Sequence, residues 1–246
     1  MSLRYLLGTA RRDFRGTLRR LVKADAYEPE LVAALERLVQ PGFVCADVGA
    51  NVGLLTVRLA RLVGESGRVV AFEAIAENAA LLRERAREFG SRIVVEEVAV
   101  TDGSAASIAL FPGRDGSHAE WTISHEFAAR EDLETVARPP TRVPATSMDA
   151  YFPPGSRLDL VKMDIEGAEA QAIPGMQRLL AEAQPVLVLE FHREVGWPAI
   201  PALLEAGYSL EALDGTSLPA PSGPDEVPYQ LVARPSSSAS SAIRNA

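Results

Sequence analysis

The sequence predicts an α/β fold, a single Rossmann-like doubly wound sheet, and three observations carry that prediction. Short apolar runs recur along the chain, helical periodicity fills most of the gaps between them, and a glycine-rich turn joins the first run to the helix after it. The runs are Phe43 to Val48, Arg68 to Phe72, Ile93 to Val98, Leu158 to Met163 and Val186 to Phe191, mostly rich in β-branched residues. Gly53 to Val63 and Glu77 to Phe89 have helical spacing, with Gly64 and Gly90 standing where the chain must reverse. Such a β-α-β-α-β order implies a parallel sheet with right-handed crossovers on both faces.

Residues 1–40 are expected to form a helical N-terminal extension to a domain of residues 41–234. Within it Arg4, Arg11, Arg12, Arg15, Arg19, Arg20 and Lys23 mix with Leu, Tyr and Phe, the pattern of an amphipathic basic helix. That face either packs on the domain with its charges solvated or meets a membrane surface or partner. Residues 101–157 have a different texture, Gly, Pro, Ser and charge, with Ala106 to Phe111 and Thr141 to Ala145 as short strands, and read as an insert before strand four. An insert of this kind is expected to cover a functional site. A helix at Pro198 to Ala206 and strands at Tyr208 to Leu213 and Tyr229 to Ala233 follow, and the Ser-rich tail 235–246 is expected to be disordered.

With 246 residues and 47% hydrophobic content the chain can bury the core of one domain. A formal net charge of −8 opposes broad binding to a phosphate backbone, so nucleic acid is not expected as a partner. No apolar run reaches the roughly 18 residues of a membrane span, and no signal-peptide core opens the sequence, so a cytoplasmic protein is expected. Cys45 is the lone cysteine and, in its apolar run, reads as a core residue. No repeat of solenoid or propeller period occurs. Oligomeric state is not legible.

The turn Asp47-Val48-Gly49-Ala50-Asn51-Val52-Gly53 follows the first strand and opens a helix, the context in which a glycine-rich loop cradles a cofactor with its backbone and the helix N-terminus. It departs from the dinucleotide pattern, since only Gly49 and Gly53 are present and Asp47 stands just before them. A carboxylate there repels pyrophosphate and attracts a ligand with a free ammonium, which favours S-adenosylmethionine. Glu73, at the end of the second strand and about 20 residues past Gly53, is placed to accept ribose hydroxyls, a feature shared by NAD and S-adenosylmethionine sites.

Three blocks resemble the FkbM-type methyltransferases of the class I S-adenosylmethionine-dependent fold: Phe43 to Gly53, Val70 to Glu73 with Asn78, and above all Val161 to Glu169, which reads V-K-M-D-I-E-G-A-E. The resemblance spans roughly residues 27–193. It implies about seven strands with the last antiparallel, bound S-adenosylmethionine, and methyl transfer, usually to a hydroxyl of a natural product or sugar. Tyr229 to Ala233 is available as the last strand, and Ala74 stands where the family often has proline after the ribose-binding glutamate.

Methyl transfer to a hydroxyl needs an aligned acceptor oxygen and a base or a metal. Asp164 ends the fourth strand beside the first, at the switch point where ligands bind, and Glu190 and His192 end the next. A carboxylate or His192 as general base is one reading, and Asp164, Glu190 and His192 around Mg²⁺ is the other. Glu166 and Glu169 are candidates for substrate contact, or else a solvated turn residue and a helix-opening residue respectively. Lys162 is expected to form a structural ion pair beneath the site. His118, Trp121 and His125 in the insert are candidate substrate contacts, and Tyr27 a candidate cofactor cover. The rival functions are an NAD-dependent oxidoreductase and a catalytically silent binding protein. An N-methyltransferase is disfavoured because no Asn or Asp with Pro-Pro-Tyr follows strand four.

Overall fold

The apolar runs of the sequence become the strands of one sheet in the computed structural model, which describes residues 28–112, 121–122, 140–191 and 193–236. The strands β1 (Val44–Val48), β2 (Arg68–Phe72), β3 (Ile93–Glu96), β8 (Leu160–Met163) and β9 (Val186–Glu190) are all parallel, with β8 and β2 flanking β1. Beyond β9 lies β12 (Gln230–Pro235), antiparallel both to β9 and to β10 (Tyr208–Glu211), and β11 (Ser217–Leu218) closes that edge. Among the described residues the order is β11-β10-β12-β9-β8-β1-β2-β3, eight strands where about seven are expected. The extra strand has only two residues, too few to show a periodicity.

Alternation along each strand divides the core in two. On one face Cys45, Val69, Leu160 and Val188 meet α1 (Pro29–Leu38) and α2 (Leu54–Val63) through Leu31, Leu35, Leu55, Leu59 and Val63. The i, i+4, i+8 spacing of Leu55, Leu59 and Val63 puts one apolar stripe on the sheet. The opposite face carries Ala46, Val48, Val70, Phe72, Val161 and Met163 against Ile173, Met176, Leu179 and Leu203. These come from a 3₁₀ turn (Ile173–Met176), a short helix at Gln177–Glu182 and another at Ala199–Glu205. Helix α3 (Ala76–Ala86) follows β2 and packs Leu82 on Ala50 and Ala71.

The insert builds a second sheet of four strands, β4 (Ala99–Val100), β7 (Thr141–Thr146), β5 (Ser107–Pro112) and β6 (Trp121–Thr122), in that spatial order. The expected strand Ile93 to Val98 ends at Glu96, and the chain beyond it forms β4, a strand not expected from the sequence, which pairs with β7 outside the main sheet. Leu110 and Val143 of the second sheet pack on Ile75, two residues past Glu73. No helix among the described residues is long and apolar enough to cross a membrane. Of the tail expected from 235 to be disordered, Pro235 ends β12 and Ser236 N donates to Gly207 O, and the rest of it, like the expected basic helix, lies outside the described residues.

Leu59 is fully buried between α2 and the sheet. Leu59→Ala is expected to lower stability to urea by about 2–5 kcal/mol through the cavity it leaves, with the denaturation midpoint as the measurement.

Candidate active site

Parallel pairing of β1 with β8 sets Asp47 directly beside Lys162. Neighbours in register point to the same face, here that of α2, so Thr56 of the helix reaches the same spot. Its hydroxyl donates to Asp47 Oδ2 at 2.6 Å. Lys162 Nζ donates to Gly49 O at 3.4 Å, and lies 3.6 Å from Asp47 Oδ1 and 3.5 Å from Asp164 Oδ2. Asp47 is fully buried and Lys162 nearly so. One buried ammonium thus lies between two carboxylates, the structural ion pair expected for Lys162. Asp47 Oδ1 and Asp164 Oδ1 are buried and have no hydrogen-bond partner.

The turn after β1 is pressed against the end of β8. A Cβ on Gly49 (φ +75°) would lie 1.8 Å from the Asp164 carbonyl oxygen, and one on Gly53 (φ +87°) would lie 2.3 Å from Leu82 Cδ1. At Gly49, where the atom met is backbone, only glycine tolerates both the left-handed conformation and that approach. The amides of the turn are all engaged. Gly49 N and Ala50 N both donate to Phe72 O at 3.0 Å, Asn51 N to Glu73 Oε2 at 2.7 Å, Val52 N to Asn51 Oδ1 at 2.8 Å, and Gly53 N to Ala50 O at 2.8 Å. The amides of residues 49–53 are thus all directed to acceptors within the protein. Glu73 is nearly buried, and its other oxygen accepts Ile75 N at 2.8 Å. Burial pushes its carboxyl above the ordinary value, and hydrogen bonds from Ile75, Asn51 and Asn78 oppose that shift.

A second group of side chains gathers at the neighbouring strand ends. Glu190 receives the Tyr229 hydroxyl on Oε1 and Gln230 Nε2 on Oε2 at 3.1 Å. Gln230 Nε2 also donates to Glu28 Oε2 at 3.0 Å. Burial raises the Glu190 carboxyl, the negative charge of Asp164 raises it further, and the bonds from Tyr229 and Gln230 act the other way. The Tyr229 hydroxyl is likewise pushed far up, by burial and by Glu190, although its side chain as a whole is exposed. Tyr229 and Gln230 also line a cavity of about 720 Å³, whose other walls include Ala34 and Arg37 of α1 and Leu213.

The remaining expected residues scatter. Glu166 sits half-buried in the turn after β8 with φ +52°, and its charge is felt at Tyr229. Glu169 is fully buried, accepts Ile165 N at 3.2 Å and opens the short helix Glu169–Ala172. Trp121 belongs to β6 of the second sheet. His118, His125, His192 and Tyr27 lie outside the described residues. Among the described residues no three His, Cys, Asp or Glu side chains converge as a metal-binding group, so the Mg²⁺ expectation gains no support from them. Sequence reasoning missed Thr56, Tyr229, Gln230 and Glu28 as site residues. Thr56 left a signal, a hydroxyl on the buried stripe of a helix, which demands a partner.

Comparison with known proteins places this geometry in a family. The model of the methyltransferase FkbM domain matches residues 47–210. The crystal structure of methyltransferase FkbM from Methylobacillus flagellatus is similar with a TM-score of 0.50 at 18% identity, over 81% of this chain and 49% of that one. A structure of an S-adenosylmethionine-dependent O-methyltransferase from Thermotoga maritima gives a TM-score of 0.49 at 16% identity, over 85% of this chain and 66% of that one. In sequence, 78 residues are 45% identical to protein-L-isoaspartate O-methyltransferase of Aeropyrum pernix, 31% of this chain and 30% of that protein. The chain thus spans about half of the FkbM structure and less than a third of the isoaspartate enzyme.

Gly49→Ala is expected to destabilise the protein by about 2–5 kcal/mol, from the left-handed backbone and the clash with the Asp164 carbonyl together. The urea midpoint measures it, and a midpoint equal to wild type would mean that the turn relaxes away from β8.

Proposed function

The chain belongs to the FkbM methyltransferase family, and from that premise we propose that it transfers a methyl group from S-adenosylmethionine to a hydroxyl of a small molecule. The observation that carries this reading is the pairing of an acid-lined turn, with no spare amide at residues 49–53, with Glu73 at the next strand end. A pyrophosphate cofactor needs free backbone donors and finds a carboxylate instead. A ligand with an ammonium and a ribose finds complementary partners. Asp47, already ion-paired through Oδ1 with Lys162, supplies negative charge beneath the turn that attracts the ammonium, and Glu73 suits the ribose hydroxyls. Gly49, Ala50, Asn51 and Gly53 shape the turn on which the cofactor lies, and Asp164 borders it from β8.

The bound cofactor supplies an electrophilic methyl on a positively charged sulfur. This chain's residues align the acceptor and take its proton. Glu190 is the favoured base, because its raised pKa brings proton affinity nearer to that of a useful general base, and Tyr229 and Gln230 fix both of its oxygens. Glu190 would take the proton of the acceptor hydroxyl, whose oxygen would receive the methyl that the cofactor supplies when bound. Oxygen is favoured over nitrogen by the D-I-E-G turn after β8, and the Aeropyrum relative is named for methylation at oxygen.

Calorimetric titration tests the cofactor: micromolar binding of S-adenosylmethionine is expected, absent in Glu73→Ala, with no heat from NAD. Binding of NAD instead would overturn the reading. With an acceptor in hand, turnover is expected to fall as pH drops through the raised pKa of Glu190, since only the ionised carboxylate takes a proton. Asp164→Asn removes a like charge and is expected to move that limb to lower pH. Glu190→Gln is expected to cut kcat by about 10²-fold or more, and an unchanged kcat would remove Glu190 from the chemistry.

A further inference from the structure

The ammonium of Lys162 is a group the proposed reaction does not use, yet it stands at the centre of the cofactor turn. It lies within 3.4–3.6 Å of Gly49 O, Asp47 Oδ1 and Asp164 Oδ2, with 5% of its side chain exposed. Two carboxylates and one ammonium leave the trio with a single net negative charge, in surroundings where water screens little. Both carboxylates keep one buried oxygen without a hydrogen-bond partner. S-adenosylmethionine carries one net positive charge, and its product S-adenosylhomocysteine carries none, because the sulfonium has become a thioether.

We propose that Lys162, through its one positive charge between Asp47 and Asp164, sets how strongly the pocket discriminates the sulfonium cofactor from its neutral product. The inference rests on the cofactor reading above. Lys162 acts here as a positioning and charge-setting residue and touches no reacting atom. With the lysine present the trio is neutralised by a ligand of one positive charge. Without it the trio carries two negative charges, and preference for the cation steepens. A lysine that served only to hold the strands together would weaken both ligands alike and leave their ratio untouched.

Dissociation constants for S-adenosylmethionine and S-adenosylhomocysteine, measured calorimetrically in one buffer, give that ratio directly. In Lys162→Gln the preference for S-adenosylmethionine is expected to rise about tenfold, in Asp164→Asn to fall by about as much, and in Lys162→Arg to stay as in wild type. Asp164 is partly exposed, so its variant keeps the test alive if Lys162→Gln does not fold. A ratio within about twofold of wild type in folded Lys162→Gln or in Asp164→Asn overturns the proposal and leaves the cofactor reading standing. Failure of wild type to bind S-adenosylmethionine at all overturns both.

Discussion

Everything at the functional end of this sheet depends on the close approach of the turn after β1 to the end of β8. The contact is possible only because Gly49 has no side chain to strike the Asp164 carbonyl, and it brings two carboxylates toward one buried spot. Carboxylates withdrawn from water on adjacent strands repel each other and lose their hydration, and a single ammonium between them offsets both costs. Lys162 is therefore as much a condition of the fold as of the site. Removing one member of such a buried set leaves an uncompensated charge, which is why a lysine on a helix-covered strand face persists where an apolar residue would pack more readily.

The reversal of the last strand supplies the rest. A parallel sheet ends all its strands on one rim, so the groups there come from strand C-termini and the loops that follow. An antiparallel strand begins where its neighbours finish. Register pairs Gln230 with Glu190, and this carries Tyr229 and Gln230, from near the end of the chain, onto the rim where they grip Glu190. Gln230 also reaches Glu28 before the first described helix. The Gln230 amide thus ties Glu190 to a residue 202 positions before Gln230 in the sequence.

How much of this was legible follows from the same physics. The runs at Val44–Val48, Arg68–Phe72, Leu160–Met163 and Val186–Glu190 are short, apolar and bounded by turn residues, so their strands could be read within about two residues. Asp47, Gly49, Gly53 and Glu73 were legible because a strand, a glycine turn and a later acid are local in sequence. Lys162 was legible as an anomaly, a charge inside an apolar strand. The Glu190 partners were not, since they depend on the register of an antiparallel strand about 40 residues away, which no short-range pattern encodes. Nor was the satisfaction of the turn amides by Phe72 O, because one carbonyl on β2 serves both Gly49 and Ala50 only once the strands are paired.

The second sheet leaves and rejoins the domain at a single point. Ala99 and Val100 pair with Ala145 and Thr146, Thr101 N donates to Thr146 O at 2.8 Å, and Gly175 lies against the Thr101 carbonyl so closely that a Cβ there would come within 2.2 Å of it. The two ends of the insert are thus stapled side by side onto the core. A segment anchored this way behaves as a plug-in cassette: its closure entropy changes by only about 0.6 kcal/mol for each doubling in length. The packing of Leu110 and Val143 on Ile75, beside Glu73, is the one part of such a segment that a replacement between residues 101 and 146 must reproduce for the strand rim to keep its shape.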